Sequence, residues 1–204
     1  KLINSAITRL QALGQLSAGP DGLPGHGERL ALLGSALKRK AVAMVRSGRY
    51  PWKTTKLQLG QAADAYFKAG QNGSPQQPYH MLNFLVLDWL AGNASRTDKE
   101  RAAVARQCAS EANRRFKDSK SFWDAVGGVD AKLVEGLLYW TDEVGSQLHK
   151  DYQQLIDEVP HDPSEWNSVR RQFELLAVLL EKRNGDNDMD RVRMLEELGE
   201  LSAS

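Results

Sequence analysis

Pro78-Tyr-His-Met-Leu-Asn-Phe-Leu-Val-Leu-Asp-Trp-Leu-Ala-Gly92 is the most apolar run in the chain, and its reading decides the fold. Between Tyr79 and Ala91 only His80, Asn83 and Asp88 are polar. Pro78 suits the first position of a helix, where its missing N–H is no loss, and Gly92 suits the stop. A helix that is apolar on nearly every side has to be covered on nearly every side. About 13 residues are too few to cross a bilayer. The segment therefore reads as the buried central helix of a helical array.

The flanking sequence carries the same period. Apolar residues recur at three and four, and alternating β-branched runs are missing, so no strand is expected. Residues 3–17 read as a first helix with Ile3, Ile7, Leu10, Leu13 and Leu16 inward. Ala18 to Gly27 is a glycine- and proline-rich break. It lacks the Gly-Lys-Ser/Thr ending and the preceding strand of a phosphate-binding loop. A second helix is expected over 28–47, with Leu30, Leu33, Leu37, Ala41 and Met44 inward, Leu32 and Val45 widening the stripe, and Lys38-Arg-Lys40 on the outer face. Arg49 to Lys53 reads as a loop holding two aromatics. Thr55 to Gln58 fits a capping box that starts a third helix, ending at Gly70. Further helices are expected over 97–117, from Ser121 through Trp140, over 143–158, over 163–183 and over 188–201, the last with Met189 inward. The Thr97–Glu100 capping box and the Asp162-Pro163-Ser-Glu165 start mark two of these. Nine helices joined mostly by short turns imply antiparallel neighbours. The expected architecture is all-α: an antiparallel helix-hairpin array, a right-handed pairwise stack treated as one domain over 1–204.

Composition is that of an ordinary globular protein, with 41% hydrophobic and 26% charged residues. Cys108 is the only cysteine, so an intrachain disulfide is impossible. The first residue is Lys1 and not Met, which is taken to mark a piece of a longer protein. A cytoplasmic, membrane-free setting is the default expectation. Charge is graded: residues 1–60 hold ten Lys/Arg against two Asp/Glu, and residues 143–204 hold seven against fourteen. Such a gradient steers partners, acidic surfaces or a second copy of the chain included, and self-association is one expectation.

Repetition is the next thing to test, and the spacing from Gly34 to Ala62 is longer than a regular repeat allows because the Ser47–Thr54 loop intervenes. The tetratricopeptide pattern opens Trp-x2-Leu-Gly-x2-Tyr, the glycine admitting the neighbouring helix. Leu30-x2-Leu33-Gly34-x2-Leu37 matches it with leucines in the aromatic slots. Trp123-x2-Val126-Gly127 matches the first half, and Asp130 departs from the Tyr position. Ala62, Tyr66 and Ala69 have the spacing of a second helix. Gly34 and Gly127 are expected to be contact points between paired helices. Four stretches, Glu28 to Lys40, Pro78 to Asn83, Phe122 to Gly127 and Trp166 to Leu176, resemble the divergent tetratricopeptide-like region of large bacterial proteins that also carry a CHAT domain, a caspase-like cysteine protease. The resemblance spans about 28–183. It implies a module that binds protein partners or controls an attached effector domain, and it places no catalytic dyad in this chain.

Chemistry is sparse. No two of His26, His80, His149 and His161 have the i, i+4 spacing of a helical metal site, so no metal and no cofactor is expected. Cys108 reads as a small core residue on an alanine-rich face. Asn83 and Asp88, inside an apolar helix, need hydrogen-bond partners. Asn83 either bonds a neighbouring helix turn or lines a groove and bonds a partner peptide, and Asp88 invites an arginine. Basic residues interleaved with Tyr50 and Trp52 raise single-stranded nucleic acid, a reading ranked below a solvated face. The candidate partner-binding residues are Lys38, Arg39, Arg46, Arg49, Tyr50, Trp52 and Asn83. The sequence reading is thus a non-catalytic protein-interaction scaffold with a protein or peptide partner. The alternative is a regulatory or sensor segment of an enzyme whose catalytic domain lies elsewhere.

Overall fold

The structure is a computed structural model, and it describes residues 2–16, 25–71, 77–184 and 188–202. Most of the 18–27 break, the centre of the Gly70–Gln77 linker, the stop at Gly185 and the side chain of Leu16 lie outside the described residues. Among the described residues there are nine α-helices and no strand. They are α1 Leu2–Leu16, α2 His26–Ser47, α3 Trp52–Gln71, α4 Pro78–Leu90, α5 Asp98–Ser119, α6 Phe122–Leu138, α7 Asp142–Glu158, α8 Pro163–Asn184 and α9 Met189–Glu200. No described helix is long and apolar enough to cross a membrane. The chain divides into two compact units, Lys1–Ala94 and Ser95–Ser204.

In the first unit each helix packs on the next: α1 on α2, α2 on α3 and α3 on α4. The opening stretch behaves as its composition dictates. Eleven residues of α4 are buried. Pro78 occupies the first turn behind Gln77, which is extended and whose carbonyl accepts from the N–H groups of His80 and Met81. Gly92, at φ 66°, makes the left-handed exit that a β-carbon would strain. Tyr79 is the one apolar residue of α4 left exposed. The α2–α3 contact is made through Gly34: a β-carbon there would sit 2.7 Å from Tyr66 Cδ2. Gly70 does the same for α3 and α4, where a β-carbon would meet Met81 Sδ at 2.6 Å.

In the second unit α5 and α6 form one tight pair, α8 and α9 another, and α7 packs on α6 and α9. The Thr97 capping box forms fully: the Glu100 N–H donates to Thr97 Oγ1 and the Thr97 N–H donates to Glu100 Oε2. Gly127 is buried, and a β-carbon on its neighbour Gly128 would meet Asn113 Oδ1 of α5 at 2.5 Å. Asp130, which departs from the repeat's aromatic slot, accepts a 2.6 Å hydrogen bond from the Tyr152 hydroxyl of α7. A polar pair thus replaces an aromatic one. The core of α8 follows a helical period, with Trp166, Val169, Phe173, Leu176, Ala177 and Leu180 all buried.

Several expectations are corrected. Lys38 is not on the outer face of α2: it is 3% exposed. Gly34, Leu37, Lys38 and Ala41 share one face by the three/four rule, and spacing outranks side-chain polarity there. Leu32 faces solvent at 58%, and Leu30 and Leu33 are half-buried. Ile3 and Leu13 are exposed and, among the described side chains of α1, Ile7 alone is buried, because α1 packs on α2 and a helix covered on one side buries a narrow stripe. Helix α3 begins at Trp52, ahead of the Thr55–Gln58 box, because the Pro51 carbonyl accepts from the Thr54 N–H at 3.0 Å and starts the turn earlier. Thr55 is then buried inside the helix and Gln58 bonds Gln61 instead. Trp140 lies beyond the end of α6, in the turn before α7. Ser121 takes the N-cap position of α6 without a side-chain cap. Met189 is exposed, at the first turn of the last helix.

Candidate partner-binding site

The sequence-predicted residues separate into an interior pair and an exposed edge, all in the first unit. Lys38 of α2 and Asn83 of α4 meet inside: Lys38 Nζ donates to Asn83 Oδ1 at 2.9 Å. Asn83 Nδ2 donates to the Tyr79 carbonyl one turn back at 3.0 Å. The Lys38 ammonium also lies 5.7 Å from the centre of the Tyr66 ring, within cation–π reach. Tyr66 of α3 is 1% exposed and fills the space that Gly34 leaves. Burial pushes its hydroxyl far above the ordinary phenol range, with Tyr79 adding to the shift and Ser35 opposing it. His80 lies beside Tyr66 and Tyr79. Its imidazole is held below its ordinary basicity by burial, with Glu28 pulling the other way. This cluster ties three helices together through polar groups. Asn83 is 5% exposed, and its amide is bonded on one side to the Lys38 side chain of α2 and on the other to a carbonyl of its own helix.

The exposed edge runs along the far side of α2 and through its C-terminal turn. Arg39, Arg46, Arg49 and Tyr50 are exposed, and Trp52 is half-buried on α3. The turn is fixed by local bonds: Ser47 Oγ donates to the Met44 carbonyl at 2.8 Å, the Arg49 N–H donates to Ser47 Oγ, and Gly48 sits at φ 65°. From Arg29 to Ala63 the sequence holds eight Lys/Arg and no Asp or Glu. These cations therefore have no carboxylate within their own stretch, and the edge presents a positive field to solvent.

Other candidates resolve into structure. Cys108 is 4% exposed on the alanine face of α5, and burial pushes its thiol up to about 11. A thiol so raised is a poor nucleophile at neutral pH. Asp88, 2% exposed, accepts a 2.8 Å bond from Asn93 Nδ2. His161 stacks on Phe122, with Nδ1 2.8 Å from the Val159 carbonyl. Among the described residues no group of three or more His, Cys, Asp or Glu could hold a metal ion.

Sequence reasoning missed the grooves on either side of α7 in the second unit. One, of about 410 Å³, lies between α7 and α9 and is lined by Trp140, His149, Met194 and charged groups. The other, of about 260 Å³, lies between α6 and α7 beside Tyr139. Two consecutive aromatics in the α6–α7 turn thus serve opposite sides of one helix. The sequence reading carried the sixth helix through Trp140 and so hid its place at a groove. A β-carbon on Gly145 would meet its ring at 2.6 Å, a close approach that only glycine permits.

Comparison with known proteins adds one match. Residues 3–88 match the family model described as Tetratricopeptide Repeats-Sensor. The match runs from the start of α1 to within two residues of the end of α4, inside the first unit. No curated protein and no solved structure matches the chain. Residues 3–88 are therefore a tetratricopeptide-like region, joined to a second helical unit that lies beyond the match.

Proposed function

We propose that the chain is a non-catalytic protein-interaction module whose docking surface is the basic edge formed by Arg39, Arg46, Arg49 and Tyr50, with Trp52 behind it. The observation that carries this reading is the division of the α2 cations. Lys38 is taken inside and bonded to Asn83, while Arg39, Arg46 and Arg49 remain in solvent on a stretch without acids. A tetratricopeptide-like array supplies a rigid frame for such an edge, since stacked helix pairs make extended binding surfaces. Its partner is a protein or peptide carrying carboxylates. Nucleic acid is the weaker reading, because Trp52 is half-buried and Tyr50 alone offers an exposed ring for stacking.

A photo-crosslinking residue at position 50, in cells, tests this. The expected result is a crosslinked protein that disappears when Arg46 and Arg49 are both changed to Glu. Crosslinks to RNA, or protein crosslinks indifferent to that change, would overturn it.

The description of the matching family as a sensor favours a second reading, a regulatory or sensor segment with the chemistry outside this chain; that the attached enzyme is of the CHAT-protease kind rests on the sequence resemblance alone. The open reading frame around these residues decides between the two.

A further inference from the structure

We propose that the same basic turn takes as partner the α7–α9 groove of a second copy of this chain, so that copies join head to tail. This rests on the reading of that turn as a protein-binding edge, and it adds the occupant. The turn offers Arg46, Arg49 and Lys53 with the half-exposed ring of Tyr50 between them, all open to solvent within one chain. The groove offers the complement. Its lining carries three carboxylates, Asp142, Asp190 and Glu197, around the Trp140 indole and the Met194 thioether.

Lys150, Arg193 and His149 also line the groove. Arg193 is turned toward Asp190 at 3.8 Å, an exposed and long pairing that an incoming guanidinium can replace. The surrounding segment adds to the negative field, with fourteen acids against seven bases over 143–204. A volume of about 410 Å³ is in the range that seats a few side chains rather than a helix. A groove lined by an indole and three carboxylates is a site for a guanidinium or ammonium group. The basic turn is supplied by the chain itself and finds no acid in its own stretch. Turn and groove are different surfaces, so the contact is heterologous.

Sedimentation velocity on the whole chain tests the proposal. At low salt the sedimentation coefficient should climb with concentration above that of the monomer. At about 1 M salt, where screening acts within about 3 Å, it should fall back to that of the monomer. Arg46→Glu/Arg49→Glu removes the turn, and Asp190→Lys/Glu197→Lys removes the groove. Each alone should weaken association about tenfold or more, the loss of two exposed ion pairs and their replacement by repulsion. Mixed in equal amounts, the two variants should form a dimer and go no further, because only one turn and one groove remain intact. Should the groove double variant lose helix, Glu197→Lys alone serves. A wild-type monomer at every concentration and salt, association that survives both double variants, or a mixture that stays monomeric while wild type assembles would each overturn the proposal. A foreign protein crosslinked at position 50 on a strictly monomeric chain would keep the binding edge and discard the second copy.

Discussion

Gly34→Ala is the sharpest test of how the first unit is built. The new β-carbon would lie 2.7 Å from Tyr66 Cδ2, 2.9 Å from Cε2 and 3.0 Å from Cγ. Carbon atoms attract best at about 3.5–4.0 Å, so the ring must retreat by more than half an ångström. It has little room to do so. Tyr66 is 1% exposed, with Lys38 over its face and His80 at its side. Overpacking a closed site costs about 1–3 kcal/mol, and this one belongs in the upper part of that range. Against it stands the helix propensity gained when alanine replaces glycine, about 0.8–1.0 kcal/mol. The net expectation is a loss of about 1–2 kcal/mol.

Gly60 of α3 is the matched control, since a β-carbon there meets nothing within 4 Å. Gly60→Ala should therefore keep the propensity gain and stabilise by about 0.8–1.0 kcal/mol. In a Tyr66→Ala background the obstructing Cγ, Cδ2 and Cε2 are all gone, and Gly34→Ala should turn from a loss into a gain. Urea unfolding followed by circular dichroism measures all of these. Gly34→Ala and Gly60→Ala stabilising equally would refute the close α2–α3 approach and the repeat alignment that located it.

The Lys38–Asn83 bond should show as coupling: Asn83→Leu alone costs about 1.5–3 kcal/mol by stripping an acceptor from a buried ammonium, and Lys38→Met in the same chain should recover part of it. Additive losses in that double-mutant cycle would remove the pair from the account. His80 sets a pH dependence, because its folded pKa is depressed by burial while the unfolded imidazole protonates near 6.5. The unfolded chain then binds more protons below that point, so stability is complete above about pH 6.5 and is lost as pH falls toward the lowered value. His80→Phe should flatten the slope of urea midpoints between about pH 7 and about pH 5, and an unchanged slope would contradict the burial argument. The Cys108 thiol, buried and pushed up to about 11, should react with a thiol reagent only as fast as the chain unfolds; rapid labelling of the folded chain would contradict its place in the core.

Helices α4, α5 and α8 were legible because each was signalled at a terminus as well as by its apolar residues. Pro78 and Gly92 bracket α4, Thr97 and Glu100 open α5, and Pro163 opens α8, all as the residues indicate. Gly34 was legible as a contact because a glycine inside a leucine stripe has a packing reason more often than a backbone one. Lys38 was misread because a charged side chain was assigned by its charge. Its acceptor, Asn83, is 45 residues away in sequence, and only the fold brings the two together. The exposure of Ile3 and Leu13 depends on how many neighbours α1 has, which no local pattern encodes. The groove beside Trp140 was invisible for the same reason: α7 and α9 meet there from segments about 45 residues apart.

The central claim is that this chain works through an exposed edge of its first unit. Recovery of the native complex from cells under mild conditions, comparing wild type with Arg39→Glu/Arg46→Glu/Arg49→Glu, tests it most directly. All three positions are exposed, so the variant should keep the wild-type circular dichroism and melting curve. The expected result is a partner recovered in stoichiometric amount with wild type and lost with the charge-reversed chain. The same partner recovered in equal amount with both would contradict the account.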